Sequence, residues 1–82
     1  MSFTPENIEE LDLLLMFDLS TSQAGIKIHK TANPAAIAAA ESLFNKGLLT
    51  QKDGGYLTNL GIVAAEHAQA LYTLLNTPDP AA

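Results

Sequence analysis

The chain has no cysteine, no tryptophan and no arginine, and its 82 residues include only five glycines and four prolines. Without cysteine there can be neither disulfides nor a thiolate metal site. The two histidines, His29 and His67, stand far apart and are poor material for a structural metal. The missing arginine removes the side chain that forks onto phosphate and onto guanine edges. No apolar run reaches the roughly 18 residues that a membrane span requires, and residues 1–6 lack the basic and apolar segments of a secretory signal, so a cytoplasmic location is expected. The length gives one core, which reads as a single domain over residues 1–76 and a flexible tail over 77–82. A chain this short buries only about 60% of its unfolded surface. With disulfides and metals excluded, oligomerisation is the reinforcement to look for.

The formal net charge is −5, which opposes general adhesion to nucleic acid or anionic lipid. Its distribution is uneven. Glu6, Glu9, Glu10, Asp12 and Asp18 make the beginning acidic, whereas Lys27, Lys30, Lys46 and Lys52 all fall between residues 27 and 52, where Glu41 is the only acid.

Local signals divide the chain into five elements. Thr4-Pro5-Glu6 has the cap, first-turn proline and acid of a helix start, and Ile8, Leu11, Leu14 and Leu15 follow at helical spacing. Leu13, Met16 and Phe17 lie off that stripe, so the second half of this helix is apolar almost all round and needs cover on more than one side. Residues 20–23 read as a loop. Ile26 and Ile28 then alternate with Lys27 and His29, which is strand periodicity, with a short helix over 22–31 as the alternative. Asn33-Pro34 starts an alanine-rich helix whose expected inward face is Ile37, Ala40, Leu43 and Phe44, and Gly47 fits its C-terminal stop. The segments 48–51 and 56–58 flank Lys52-Asp53-Gly54-Gly55, whose glycines suit a hairpin turn. Thr58 caps a last helix running to about Asn76, with Leu60, Val63, Ala64, His67, Leu71, Leu74 and Leu75 as its apolar stripe.

The expected fold is therefore mainly α with a small β-hairpin. Two stretches carry a resemblance. Leu43-Phe44-Asn45-Lys46-Gly47-Leu48-Leu49 resembles the end of a recognition helix running into the first strand of a wing. Gly55-Tyr56-Leu57-Thr58-Asn59-Leu60-Gly61 resembles the second wing strand and the start of the next helix. Together they are similar to a winged helix-turn-helix, which implies the order helix, short strand, helix, β-hairpin wing, long C-terminal helix. Between residues 18 and 33 there is too little chain for both a strand and a full first helix of the helix-turn-helix, so either residues 22–31 are that helix or the fold is a reduced form. Through Gly25-Ile26-Lys27-Ile28-His29, and Lys46-Gly47-Leu48-Leu49 followed by Asp53-Gly54-Gly55-Tyr56-Leu57-Thr58, the chain also resembles a short family of gammaproteobacterial proteins without an assigned activity.

Two functions compete. The winged-helix resemblance implies a DNA-binding, transcription-associated factor, weak or dimeric, with Lys27, Lys30, Ser42, Lys46 and Lys52 as nucleic-acid contacts. Against this, the outward face expected for the second helix (Ala35, Ala38, Ala39, Ser42, Lys46) offers methyl groups, a hydroxyl and an ammonium where base readout uses paired donors and acceptors. Small residues four apart equally suit close packing on another element. The alternative is a protein-association module with the same fold and no nucleic-acid binding. Leu13, Met16, Phe17, Leu71, Tyr72 and Leu75 exceed what one small core needs and are the expected dimer interface. His67, on an apolar stripe with no ligand partner at i+3 or i+4, reads as a core or interface histidine. No nucleophile–base arrangement, carboxylate pair or phosphate loop is present, so no enzymatic activity, cofactor or metal is expected.

Overall fold

The structure is a computed structural model and describes residues 1–21 and 23–79. Ser22, in the expected loop, and residues 80–82 of the expected tail lie outside the described residues. The elements in chain order are α1 (Pro5–Leu14), β1 (Ile26–Lys27), α2 (Pro34–Asn45), β2 (Leu49–Gln51), β3 (Gly54–Leu57) and α3 (Asn59–Leu75).

Each helix begins where its local chemistry places it. The Thr4 hydroxyl accepts from the Asn7 amide while the Asn7 side chain accepts from the Thr4 amide, a reciprocal cap built with asparagine instead of the usual glutamate. Asn33 and Thr58 cap α2 and α3 one way only, their side chains accepting from the amides of Ala35 and Gly61. α2 ends with Gly47 in the left-handed region (φ 81), and the amides of Gly47 and Leu48 close back onto the carbonyls of Phe44 and Leu43, the Schellman arrangement.

The strand reading holds over Ile26–Lys27, and the alternative helix does not form. Ile26 and Ile28 are half-buried while Lys27 and His29 are exposed. β1 joins an antiparallel sheet of order β1-β3-β2, with Ile26 opposite Gly55 and Lys27 opposite Gly54. Residues 28–33 make only a turn, closed by the Ala32 amide on the His29 carbonyl, so a single helix, α2, lies between β1 and β2. The arrangement is compatible with a winged-helix-like fold of reduced form. In the hairpin, Leu49 pairs with Leu57 and Gln51 with Gly54, so the register slips between them. Gly54 (φ 122) and Gly55 (φ 72) absorb the slip, a backbone course that side chains disfavour.

The core is small. Leu13, Leu14, Phe17, Leu43 and Leu49 supply its bulk, and Ala39, Ala40, Ala65 and Ala68 fill the rest. α1 packs mainly on α2 and also touches α3, while α2 covers the hairpin. The buried face of α1 is Glu10, Leu13 and Leu14, with Phe17 just beyond its end. The expected stripe was displaced by about one residue, leaving Ile8 exposed. The bulky Phe17 ring is buried from the turn after the helix, and that choice rotates the helix beneath it.

The largest departure concerns α3. Of its expected apolar stripe only Ala64 packs against the core: Leu60, Val63, Leu71, Leu74 and Leu75 are all exposed, and so is His67. The inward face is Gly61, Ala65 and Ala68. The reason is a close approach. The Leu48 carbonyl accepts the Thr58 amide, the Gly47 carbonyl accepts the Thr58 hydroxyl at 2.6 Å, and a Cβ on Gly61 would overlap the Leu48 carbonyl oxygen. Only small residues fit an α3 held so near. Gly61→Ala is therefore expected to destabilise by about 1–3 kcal/mol through overpacking, against a helix-propensity gain of about 1 kcal/mol. Urea unfolding of the two proteins measures the balance, and a more stable variant would show that the approach is not tight.

Candidate functional site: the α2 face and the outer face of α3

The face of α2 expected to read DNA is partly occupied. Ala39 is buried, and Glu10 from α1 reaches across to Ser42 and Lys46. Its Oε2 accepts the Lys46 ammonium at 2.6 Å and the Ser42 hydroxyl at 2.9 Å, while Oε1 accepts the Asn7 amide at 3.0 Å. Glu10 is 5% exposed and is the only buried charged or polar residue of the described chain. Burial raises its proton affinity, but the hydrogen bonds from Lys46, Asn7 and Ser42, helped by the Lys46 charge, outweigh that and hold the carboxyl below its ordinary value. The outer residues of this face, Ala35 and Ala38, line a groove against Pro5, Glu6 and Glu9. An acidic wall therefore stands beside the helix that a phosphate backbone would approach.

Of the five expected nucleic-acid contacts, Lys27, Lys30 and Lys52 gather around Asp53, and Ser42 and Lys46 lie on the far side of Glu41. Ser42 and Lys46 are engaged by Glu10. Lys27 pairs loosely with Asp53 at 3.8 Å, both side chains being well solvated, which contributes little. Lys30 and Lys52 border a common depression that also includes Glu41 and Asp53, so acids accompany the remaining cations. Among the described residues no group of His, Asp and Glu side chains is placed to hold a metal ion, and no helix is long and apolar enough to cross a membrane.

The expected dimer residues separate into two sets. Leu13 (3% exposed) and Phe17 (4%) belong to the core of this one chain, where with Leu14, Leu43 and Leu49 they supply the bulk that its four alanines do not. Met16, Leu71, Tyr72 and Leu75 remain exposed. Tyr72 lies beside Leu15, Gln69 and Thr73 in a shallow depression. The row that runs unbroken along α3 is Leu60, Val63, His67, Leu71 and Leu74. At 100° per residue these five fall within roughly 80° of arc, centred about 130° from the buried Gly61–Ala65–Ala68 side. α3 is thus apolar on two sides, small residues against the core and large ones in solvent. His67, expected in a core or an interface, is exposed in this single chain.

Two side chains carry structural roles that the sequence reading passed over. Glu10 stands three and four residues before Leu13 and Leu14 and seven before Phe17, on the buried row, and an acid in such a row is a sign of a buried partner. Gln69 donates its side-chain amide to the Phe17 carbonyl at 2.8 Å and to the Leu14 carbonyl at 3.3 Å, satisfying carbonyls at the end of α1 that lack helical partners. Its place beside Ala68 on the inner half of α3 was the available signal.

Because folding lowers the proton affinity of Glu10, its contribution is present above the unfolded value of about 4.3 and fades as pH falls through the lower folded value. Glu10→Gln is expected to destabilise by about 1–2 kcal/mol at pH 7, since Lys46 keeps much of its hydration. The difference from the parent should shrink below about pH 4. Urea titrations across that range test it, and a pH-independent difference would assign the effect to packing.

None of the curated proteins and none of the solved structures matches the chain. A family model does, over residues 1–76, which take in every element from α1 to α3 and both faces described above. The chain belongs to that family, the family of unknown function DUF5669.

Proposed function

We propose that the protein is a small protein-association module whose contact surface is the outer face of α3. The observation that supports this most is the row Leu60, Val63, His67, Leu71 and Leu74, left in solvent while alanines occupy the interior. Contiguous apolar surface on so small a protein marks an interaction site. A core with four alanines among its nine buried apolar residues leaves stability to be supplied from outside.

The nucleic-acid reading is supported by the element order and by the gathering of Lys27, Lys30 and Lys52 around Asp53. The helix that would enter a groove is covered by α1 and flanked by Glu6, Glu9 and Glu10. Of the four lysines, two are ion-paired and the others sit with Glu41 and Asp53. A few lysines would also give only a shallow salt dependence, roughly one unit of slope per phosphate contact.

Titration of a mixed-sequence duplex at low salt is expected to show no salt-sensitive binding up to tens of micromolar protein. A photoreactive side chain at position 71 is expected to give one adduct of defined mass that the same group at Asp12 does not give. Duplex binding that weakens with salt and disappears in the Lys30→Ala, Lys52→Ala double variant would overturn the proposal.

A further inference from the structure

We infer that the occupant of the α3 face is a second copy of the same chain, its α3 running antiparallel and crossing at His67. This rests on the association reading above and adds the identity and orientation of the partner.

The argument begins with spacing. Leu60, Val63, His67, Leu71 and Leu74 are separated by three, four, four and three residues, a series that reads the same from either end. A twofold axis beside His67 therefore sets Leu60 against Leu74 of the second copy, Val63 against Leu71, and His67 against its own counterpart. An isologous interface requires one patch to complement itself under a twofold, and this patch does so residue by residue. A parallel pair would stack Leu on Leu at the ends equally well, but it would set the starts of two α3 helices, with their attached hairpins, side by side.

Charge points the same way. α3 carries one acid, Glu66, and no lysine, in a chain of net charge −5 whose remaining acids lie on other elements and in the loops. Two such acidic molecules meet with least repulsion along this helix. The size is adequate for a weak dimer. α3 has 17 residues, roughly 25 Å of helix, and two such helices packed at about 20° stay in contact over most of that length. The buried area is then near the low end of specific interfaces, about 1,200 Å², so a dimer dissociating in the micromolar range is expected.

The chain has no cysteine, so single engineered cysteines report contacts without interference, because a disulfide forms only where Cβ atoms come within about 4.5 Å. His67→Cys is expected to cross-link to a dimer under mild oxidation. Leu60→Cys mixed with Leu74→Cys should give the 60–74 product at least tenfold over 60–60 or 74–74. In sedimentation, Leu71→Glu should weaken dimerisation at least tenfold with unchanged helical content, since the side chain lies outside the core. His67→Leu should strengthen it about tenfold by removing the polar residue from the centre. Dominant 60–60 and 74–74 products would overturn the antiparallel arrangement. A constant monomer mass up to about 1 mM, with a position-71 adduct whose mass is not twice that of the chain, overturns the second copy while the association reading stands. Constant monomer mass without any adduct overturns both.

Discussion

The structure depends on how near α3 lies to the junction between α2 and β2. Thr58 fixes that distance, its amide on the Leu48 carbonyl and its hydroxyl on the Gly47 carbonyl, and Gly61 makes it tolerable. Once the first turn of α3 is seated there, the inner side of the helix has room only for Gly61, Ala65 and Ala68. Most of the bulk on α3 is then left in solvent, with Ile62 half-buried at the flank beside Phe17 and Leu57. The thin core, the burial of Phe17 from beyond the end of α1, and the apolar exterior all follow from that one approach.

The Glu10 network is a second, independent tie. A carboxylate taken from water is costly unless its acceptors are filled, and here both oxygens are occupied by Asn7, Ser42 and Lys46. The arrangement joins α1 to α2 across the surface that a groove-reading helix would leave open. Its contribution is moderate because Lys46 is still half in water. What it supplies is register, since only one rotation of α1 puts Glu10 beneath Ser42 and Lys46.

How much was legible in the sequence depended on how local the cause was. Thr4-Pro5, Asn33-Pro34 and Thr58 mark their helices through hydrogen bonds made within three residues, and all three starts were readable. The hairpin was readable from Gly54 and Gly55, and β1 from the alternation of Ile26, Lys27, Ile28 and His29. The rotation of α3 was not. Periodicity finds an apolar stripe but does not say which way it faces when the other side is alanine and glycine, since both sides count as apolar. That choice is settled by Leu48, ten or more residues away in the chain. The same limit applies to Leu13 and Phe17, whose surplus on α1 signalled a second neighbour that turned out to be the chain's own core. Glu10 was hidden because its partners Ser42 and Lys46 lie on another helix, and it was first counted with the acidic surface.

Gln69 divides α3 into two parts with different histories in time. Up to that residue the helix is bound into the core through Gly61, Ala65 and Ala68 and tied to the end of α1 by the Gln69 amide. From Leu71 to Leu75 it is held mainly by its own ladder and by the caps that Asn76 and Thr77 place on the carbonyls of Tyr72 and Thr73, with Tyr72 beside Leu15 as its link to the rest of the domain. The first part opens only with the core it is packed into, whereas the second can fray by itself. The end of the helix is therefore a segment whose order is set by what lies against it, and any contact made there lengthens the lifetime of the helix as well as forming the complex.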